Sequence, residues 1–291
     1  MDIRKLLTKG QAAQNAVHAA KEVTKRGNLR GGSTGCVGTD GKIYGECHRV
    51  ALARSLGVDK AVDDERHIMF DAGMRAEDSW ADKLAAAGAV FKREEEIPVV
   101  MEIGGKKVTG RPDIVLGHYD DATFVADYGL ELKGIYSASS AVRVAYEGIP
   151  DPKHLAQAGF YSLALGVDYS ICYTNPSVIE VPYWAQKKFG AAKKIQPFYR
   201  IFSMTWKDDT LLYKDEDTTD WIETVYTKQG IKDFFALVGE LESTKTLGPR
   251  PEGGYATGTK LPYDKCQYCP FSKSCDNHED NYDAWLADLA T

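Results

Sequence analysis

The sequence lacks a run of about 18 consecutive apolar residues, the shortest stretch that forms a membrane-spanning helix. Residues 1–25 follow an amphipathic helical pattern without the unbroken apolar core of a secretion signal. The chain also contains no internal repeat and no low-complexity tract. We therefore expect a cytoplasmic globular protein that functions without a membrane.

Charge is unevenly distributed along the chain. The 291 residues carry a net charge of −6, which argues against a protein that coats nucleic acid. Residues 181–207, however, contain six Lys and Arg and no Asp or Glu. Because electrostatic steering depends on the local field, a basic groove on an acidic body is compatible with this composition. A solvated surface with chance clustering is the alternative.

Hydrophobic periodicity predicts both helices and strands. Helices are expected over residues 2–25, 47–57, 63–87, 151–165 and 219–242. Three antiparallel strands are expected between Val90 and Tyr136, with turns at Gly104–Gly105 and Asp120–Asp121. Further strands are expected over YSICYTN, VIEVPYW, FYRIFSMTW and TLLYK, and a linker over 243–262. This order predicts an α/β fold in which helices flank a mixed sheet.

Two acids and a lysine fall on neighbouring predicted strands. Asp113 opens one strand, and the next ends in Glu131-Leu132-Lys133. Side chains alternate along a strand, so Glu131 and Lys133 share a face and Leu132 points into the core. Two carboxylates and the Leu132 carbonyl suit Mg²⁺ or Mn²⁺, and the lysine can hold and help deprotonate a water aimed at a phosphodiester. The alternative is a salt-bridged hairpin.

The order Pro112-Asp113, then Glu131-Leu132-Lys133, resembles the signature of the PD-(D/E)XK nucleases, in their RecB-like branch. That branch carries an acid or a histidine on a helix before the strands, and GMRAE over residues 73–77 matches the acidic form. The resemblance implies that Glu77 is a third metal ligand, with His67 as the alternative.

The same branch carries Q-x-x-x-Y on the helix after the second strand. Here the pattern is QAGFY, residues 157–161. Residues four apart lie on one helix face. The resemblance therefore implies that Gln157 and Tyr161 support a catalytic site formed by Asp113, Glu131 and Lys133.

Three of the six cysteines fall within ten residues near the end of the chain: Cys266, Cys269 and Cys275. In an intracellular protein such spacing favours a metal over disulfides. Zinc, with His278 as the fourth ligand, is one interpretation. Cys172, on a predicted buried strand, is expected in the core.

RecB-like nucleases that hold an iron–sulfur cluster combine such a triplet with one cysteine before the nuclease core. The resemblance implies a 4Fe–4S cluster that joins the two ends of the chain, with Cys47 as the first ligand and Cys36 as its rival. Cys266, Cys269 and Cys275 would supply the other three thiolates.

Basic and aromatic residues alternate after Trp184. The basic members are Lys187, Lys188, Lys193, Lys194 and Arg200. Rings that stack on bases and cations that follow phosphates suit single-stranded DNA. An exposed amphipathic segment is the alternative.

The resemblance implies a restriction-endonuclease-like core over residues 61–242, between an N-terminal helical region (1–60) and a C-terminal cysteine segment (243–291). It implies a metal-dependent exonuclease that degrades single-stranded DNA from the 5′ end. CRISPR adaptation or phage recombination in a bacterial, archaeal or phage-infected cell would be its context, and proteins of those processes its partners. A catalytically inactive zinc- or iron–sulfur-bearing DNA-binding module and a restriction-type endonuclease are the alternatives. No helicase motor motif is present in the sequence.

Overall fold

A computed structural model describes residues 29–58, 64–94, 96–249, 269 and 271–289. The helix predicted over residues 2–25 lies outside the described residues, as does most of the predicted linker. No helix within the described ranges combines the length and the apolar character needed to cross a membrane.

The strands, in chain order, are β1 (Leu29–Arg30), β2 (Gly35–Val37), β3 (Ile43–Gly45), β4 (Phe91–Arg93), β5 (Val99–Ile103), β6 (Lys106–Gly110), β7 (Ile114–Asp120), β8 (Thr123–Gly134), β9 (Asp168–Asn175), β10 (Ile179–Glu180), β11 (Lys194–Ile195), β12 (Phe198–Lys207), β13 (Thr210–Asp215) and β14 (Ile222–Thr227). The α-helices are α1 (His48–Ser55), α2 (Asp64–Ala86), α3 (Ala138–Val142), α4 (Pro152–Leu165), α5 (Tyr183–Phe189), α6 (Lys228–Thr244), α7 (Ser272–Asn277) and α8 (Tyr282–Leu289). A single π-helical turn, Arg143–Glu147, continues α3.

A seven-stranded sheet with the order β14-β13-β12-β9-β8-β7-β4 forms the centre of the molecule. β8 pairs with β9 in parallel, and every other neighbouring pair of strands in this sheet is antiparallel. The sheet is therefore mixed, and the predicted α/β class is confirmed. β8 is its longest strand and is buried from Gly129 to Leu132. A strand that is covered on both faces usually consists of a continuous apolar run, so Glu131 and Lys133 are unusual residues for this part of β8.

The two faces of the sheet are covered by different helices. α2 packs against β8 on one face, where Leu130, Leu132 and Cys172 join Ala81 in a small apolar cluster. Cys172 is thus a core residue, as predicted. α4 packs against β8 and β9 on the other face, within the main core. Because side chains alternate, Glu131 and Lys133 point towards the α4 side.

Three predicted helices are confirmed. The helix expected over residues 47–57 is α1, the one expected over 63–87 is α2, and the one expected over 151–165 is α4. The Asp151 side chain caps α4 by accepting a hydrogen bond from the Lys153 amide at 2.9 Å. Gly166 ends the helix in a left-handed conformation, with φ of 71°.

The prediction of three strands between Val90 and Tyr136 is wrong in number, because five strands form there. Pro98 and Pro112 each fall between strands, where a missing amide proton breaks no ladder. β5 and β6 consequently leave the main sheet and pair with β1 in a three-stranded sheet. Both predicted turns are confirmed, and Gly104 and Gly105 have positive φ angles of 57° and 74°.

Two further assignments need correction. The helix expected over residues 219–242 begins only at Lys228, after strand β14. The Thr227 hydroxyl caps it by accepting a hydrogen bond from the Gly230 amide at 2.8 Å, and β-branched residues before the cap favour the strand. The strand expected over VIEVPYW is limited to Ile179–Glu180, because Pro182 caps helix α5.

Gly129 is a steric requirement of the central sheet. A Cβ atom there would overlap the ring of Tyr169 on the neighbouring strand, whereas a Cβ at Gly73 on α2 would have no heavy atom within 4 Å. We expect Gly129→Ala to lower the free energy of unfolding by about 1–3 kcal/mol through overpacking. The matched control Gly73→Ala should raise it by about 0.5–1 kcal/mol, since alanine favours a helix. Urea denaturation of the two variants tests the comparison, and an unchanged Gly129→Ala protein would contradict it.

Candidate active site

Strand pairing brings the predicted acids together. Ile114 of β7 pairs with Leu130 of β8, which places Asp113 beside the end of β8. The Leu132 amide donates a hydrogen bond to Oδ2 of Asp113 at 2.7 Å. The Asp113 side chain is therefore fixed by the backbone of the strand that carries Glu131 and Lys133.

Lys133 bridges the two carboxylates. Its Nζ donates to Oε1 of Glu131 and lies 3.9 Å from Oδ2 of Asp113. Glu131 is fully buried, and its Oε2 has no hydrogen-bond partner among the described residues. Buried polar atoms are almost always paired, so this oxygen is available to a ligand.

Glu77 belongs to the same electrostatic group. It lies on α2, and its pKa is raised by the charge of Asp113 and lowered by that of Lys133, so its carboxyl is within electrostatic range of both. The structure thus brings together Asp113, Glu131, Lys133 and Glu77, the residues of the two sequence motifs; we call them the carboxylate cluster. The side chain of His67, the alternative ligand, lies outside the described residues.

The carboxylate cluster holds too little positive charge. Burial, reinforced by the negative charge of Asp113, raises the pKa of Glu131 to about 8. The same two causes raise the pKa of Glu77 to about 7. Burial also raises the pKa of Asp113, although Lys133 opposes the shift. Burial disfavours the ammonium form of Lys133, but the charges of Glu131 and Asp113 outweigh it and raise the lysine pKa. One lysine therefore offsets only part of the charge of three acids.

Gln157 and Tyr161 extend from α4 to the edge of the cluster. The Tyr161 hydroxyl accepts a hydrogen bond from the Arg111 amide at 3.3 Å, two residues before Asp113. Gln157 hydrogen-bonds to the same phenol. Burial, followed by the charge of Glu131, raises the pKa of Tyr161, so the phenol stays protonated. Both residues are placed to position the chain that carries Asp113.

Tyr169 is a neighbour of the cluster that sequence reasoning missed. It is fully buried, and its hydroxyl has no partner in the described part of the chain. Burial and then the charge of Glu131 raise its pKa well above the usual value. Alternation in YSICYTN places Tyr169 on one face with Ile171 and Tyr173. Only the parallel pairing of β9 with β8 shows that this face carries Glu131.

The donor chemistry of the cluster fits a hard divalent cation. Its ligands would be carboxylate oxygens, one of them orphaned, with the Leu132 carbonyl nearby, and oxygen is the donor that Mg²⁺ and Mn²⁺ prefer. Within the ranges that the structure describes, no group of three or more His, Cys, Asp or Glu side chains is already arranged around an ion position. Binding of an ion by all three acids would therefore require their side chains to move.

Of the four predicted cluster cysteines, Cys266 lies outside the described residues. Cys47 caps α1 and is buried with Cys275 in the main core, and Cys269 packs at the edge of that core. His48 contacts the Leu247 carbonyl, and Arg49 donates to the carbonyls of Gly248 and Glu279. The Cys47 turn therefore lies against the C-terminal segment.

Cys36, the rival first ligand, has a different environment. Its sulfur lies 4.0 Å from the carbonyl oxygens of Val225 and Thr227. Burial raises the pKa of its thiol to about 11, which disfavours the thiolate that a metal needs.

The predicted DNA-binding residues differ in their surroundings. The side chains of Lys187, Lys188, Lys193 and Lys194 are exposed. Arg200 is instead held by Asp215, with Nε 2.9 Å from Oδ2, so its charge is already compensated.

Comparisons with known proteins give little guidance. No family model matches the chain, and no curated protein matches it. Among solved structures, an alkaline exonuclease (LHK-Exo) from Laribacter hongkongensis aligns with 13% identity over 77% of this chain and 94% of that chain. The TM-score of 0.36 is too low to establish a common fold.

The charge imbalance predicts a distinctive dependence of stability on pH. Glu131 and Glu77 have folded pKa values of about 8 and about 7, above the ordinary 4.5, so the folded protein keeps protons that the unfolded chain releases. Their contribution to stability is therefore full below about pH 4.5 and is lost as the pH rises through about 7 and about 8, so stability in EDTA should fall between pH 6.5 and 8. Burial and the Arg49 charge lower the pKa of His48 to about 4, below its ordinary 6.5, so above pH 6.5 His48 is mainly neutral in both states and adds little to this slope.

Urea titrations at several pH values test this expectation. Glu131→Gln and Glu77→Gln should flatten the decline, because glutamine mimics the protonated acid. Glu223→Gln, at an exposed position on β14, is the matched control and should keep the wild-type slope. A wild-type stability that rises through this pH window would contradict the interpretation.

Proposed function

We propose that this chain is a metal-dependent nuclease that hydrolyses phosphodiester bonds in DNA. The observation that carries the proposal is the fully buried Glu131, which contacts Lys133 beside Asp113 and keeps one oxygen unpaired. Burying these groups costs several kcal/mol unless a partner compensates them. A divalent cation supplies that compensation, and an adjacent lysine is suited to phosphodiester chemistry.

Asp113, Glu131, Glu77 and the Leu132 carbonyl would hold Mg²⁺ or Mn²⁺. When bound, such an ion stabilises the negative charge that develops on the phosphate. In hydrolysis, water forms a new bond to phosphorus while the bond to the leaving sugar oxygen breaks; the attacking water gives up a proton to solvent, and the sugar oxygen takes up a proton from solvent. The two carboxylates favour the ammonium form of Lys133. This supports a role for Lys133 as a hydrogen-bond donor that orients the water or a phosphate oxygen, in preference to a role as general base.

Gln157 and Tyr161 would act on the site by positioning the backbone that carries Asp113. The Tyr161 hydroxyl supports the backbone at Arg111, and Gln157 orients that hydroxyl. Their loss would misplace Asp113 without removing a charge. The RecB-like sequence pattern extends the proposal to exonuclease action on single-stranded DNA from the 5′ end, in CRISPR adaptation or phage recombination.

Nuclease assays with end-labelled single and double strands test this function. We expect degradation that requires Mg²⁺ or Mn²⁺, and a loss of at least about 100-fold for Asp113→Asn, Glu131→Gln and Lys133→Ala. The first two variants remove a metal ligand, and the third removes the donor that orients the water or the phosphate. Asp127→Asn, near the exposed end of the same strand, is the matched control and should remain active. Full activity of Lys133→Ala would overturn the catalytic assignment.

Thermal unfolding adds a readout that does not depend on activity. Mn²⁺ should raise the melting temperature more at pH 8 than at pH 6.5, because the acids must lose protons before they bind the ion. Asp113→Asn should lose most of this shift. Metal binding without DNA cleavage would favour the alternative of an inactive DNA-binding module.

We also propose that Cys47, Cys266, Cys269 and Cys275 hold a 4Fe–4S cluster. Support comes from unsatisfied buried donors near Cys47. Arg49 is almost fully buried, and its Nε and Nη1 have no partner in the portion of the chain that the structure describes. The same holds for Nε1 of Trp285, which lies in the same core cluster as Cys47. A thiolate-bound cluster is anionic, so it would compensate the arginine and accept hydrogen bonds.

Iron analysis and visible absorbance of anaerobically purified protein test the cluster. We expect a brown protein, and Cys47→Ser and Cys275→Ser should lose iron and colour because each removes a thiolate ligand. Cys172→Ala, which changes a cysteine in the apolar cluster under α2, should keep both. A colourless protein with stoichiometric zinc would overturn the iron–sulfur assignment.

A further inference from the structure

Residues 176–197 connect β9 to β12, and we call this segment the insertion. It leaves the sheet at the same ends of the strands at which the carboxylate cluster lies. Lys133 pairs laterally with Tyr173 of β9, and Tyr173 pairs with Arg200 of β12. β9 ends at Asn175, two residues beyond that row. At about 3.3 Å per residue, the insertion begins roughly 7 Å past the level of Lys133.

The insertion is firmly attached to the core. Ala185 and Ile195 are buried within the main core. Phe189 stacks on Tyr146, with ring centroids 6.2 Å apart and planes within 7°. The Asn175 side chain donates to the Gln196 carbonyl at 3.1 Å and joins the two ends of the insertion. Its outer surface is therefore held in a defined position on the core.

That outer surface carries two exposed aromatic rings. Tyr183 and Trp184, in the first turn of α5, are 69% and 52% exposed. The Nζ atom of Lys187 lies 4.9 Å from the centroid of the Tyr183 ring. Two exposed rings with a cation alongside can stack on a flat ligand and attract its negative charge.

The charge around the rings is predominantly positive. Lys188 pairs with Glu147 at 3.0 Å, and Lys194 lies opposite Glu180 in the β10–β11 ladder, so these two lysines are partly compensated. Lys187 and Lys193 add further positive charge, and residues 181–207 contain no acid. A complementary ligand would combine a chain of negative charges with flat apolar rings.

We propose that the outer surface of the insertion is a binding site for single-stranded nucleic acid. Tyr183 and Trp184 would stack on unpaired bases, while Lys187 and Lys193 contact phosphates. The binding site stands independently of catalysis, but its role in guiding a strand to the carboxylate cluster rests on the proposed nuclease function.

Fluorescence anisotropy with a labelled oligothymidylate in EDTA tests binding without cleavage. We expect Tyr183→Ala and Trp184→Ala each to weaken binding about tenfold or more, because stacking is lost. The double variant Lys187→Ala/Lys193→Ala should reduce the slope of log K against log salt by about 1.4, since each phosphate contact in a single strand contributes about 0.7.

Matched controls lie elsewhere on the surface. Trp221→Ala removes a ring that is 44% exposed just before the edge strand β14, and Lys42→Ala removes a lysine that is 68% exposed. Both should bind the oligonucleotide like the wild type. Unchanged binding by the Tyr183→Ala/Trp184→Ala double variant would overturn the proposal. If the ring variants lose as much affinity for a blunt duplex as for the single strand, stacking on unpaired bases is overturned. If the wild type binds polyglutamate as tightly as oligothymidylate, an acidic protein partner is indicated instead.

A small chromogenic phosphodiester, bis(p-nitrophenyl) phosphate, separates binding from catalysis. It is too short to span the insertion and the cluster, so the Tyr183 and Trp184 variants should hydrolyse it at the wild-type rate. Wild-type protein that binds oligothymidylate but leaves both substrates uncut would refute the nuclease and retain the binding site. If the protein cleaves DNA but the Tyr183 and Trp184 variants bind oligothymidylate as tightly as the wild type, the binding site is refuted and the nuclease is retained.

Discussion

The contact between Lys133 and Glu131 inside the central sheet is the interaction on which the rest of the site depends. Glu131 is fully buried, and its lysine must also compensate Asp113. Two raised glutamate pKa values show that this compensation is incomplete. A fold that keeps such a cluster accepts lower stability above neutral pH unless a cation binds. The energetic cost and the catalytic potential therefore have the same physical origin.

A second buried glutamate shows what a purely structural ion cluster looks like. Glu46 lies 2.7 Å from the Lys153 ammonium and 3.2 Å from the Arg54 guanidinium. Burial opposes its charge, but the two cations outweigh that cost and lower its pKa. Glu46 thereby ties the chain before α1 to the start of α4. Two cations compensate the charge of Glu46. Glu131 has only Lys133 beside it, so part of its negative charge is left for a bound cation to compensate.

Much of the fold could be predicted from the sequence because the relevant signals are local. α2 and α4 follow from helical periodicity, and Asp151 and Gly166 mark the ends of α4. The errors arose where a local pattern permits two structures. Residues 222–227 carry an apolar pattern compatible with a helix, yet they form strand β14 at the sheet edge. β5 and β6 alternate like strands of the main sheet, but their partner is β1, far away in sequence.

By itself, the sequence determined the residue types of the site: Asp113, Glu131 and Lys133 at strand spacing, and Glu77 on a helix. Spacing along the chain carries that information because strand and helix periods are fixed. Only the tertiary structure decided that Tyr169 faces Glu131, that Arg200 is neutralised by Asp215, and that the insertion lies beside the cluster. The first and third relations depend on β8 pairing in parallel with β9, a contact between segments about 40 residues apart that no local pattern encodes. The second depends on the antiparallel pairing of β12 with β13.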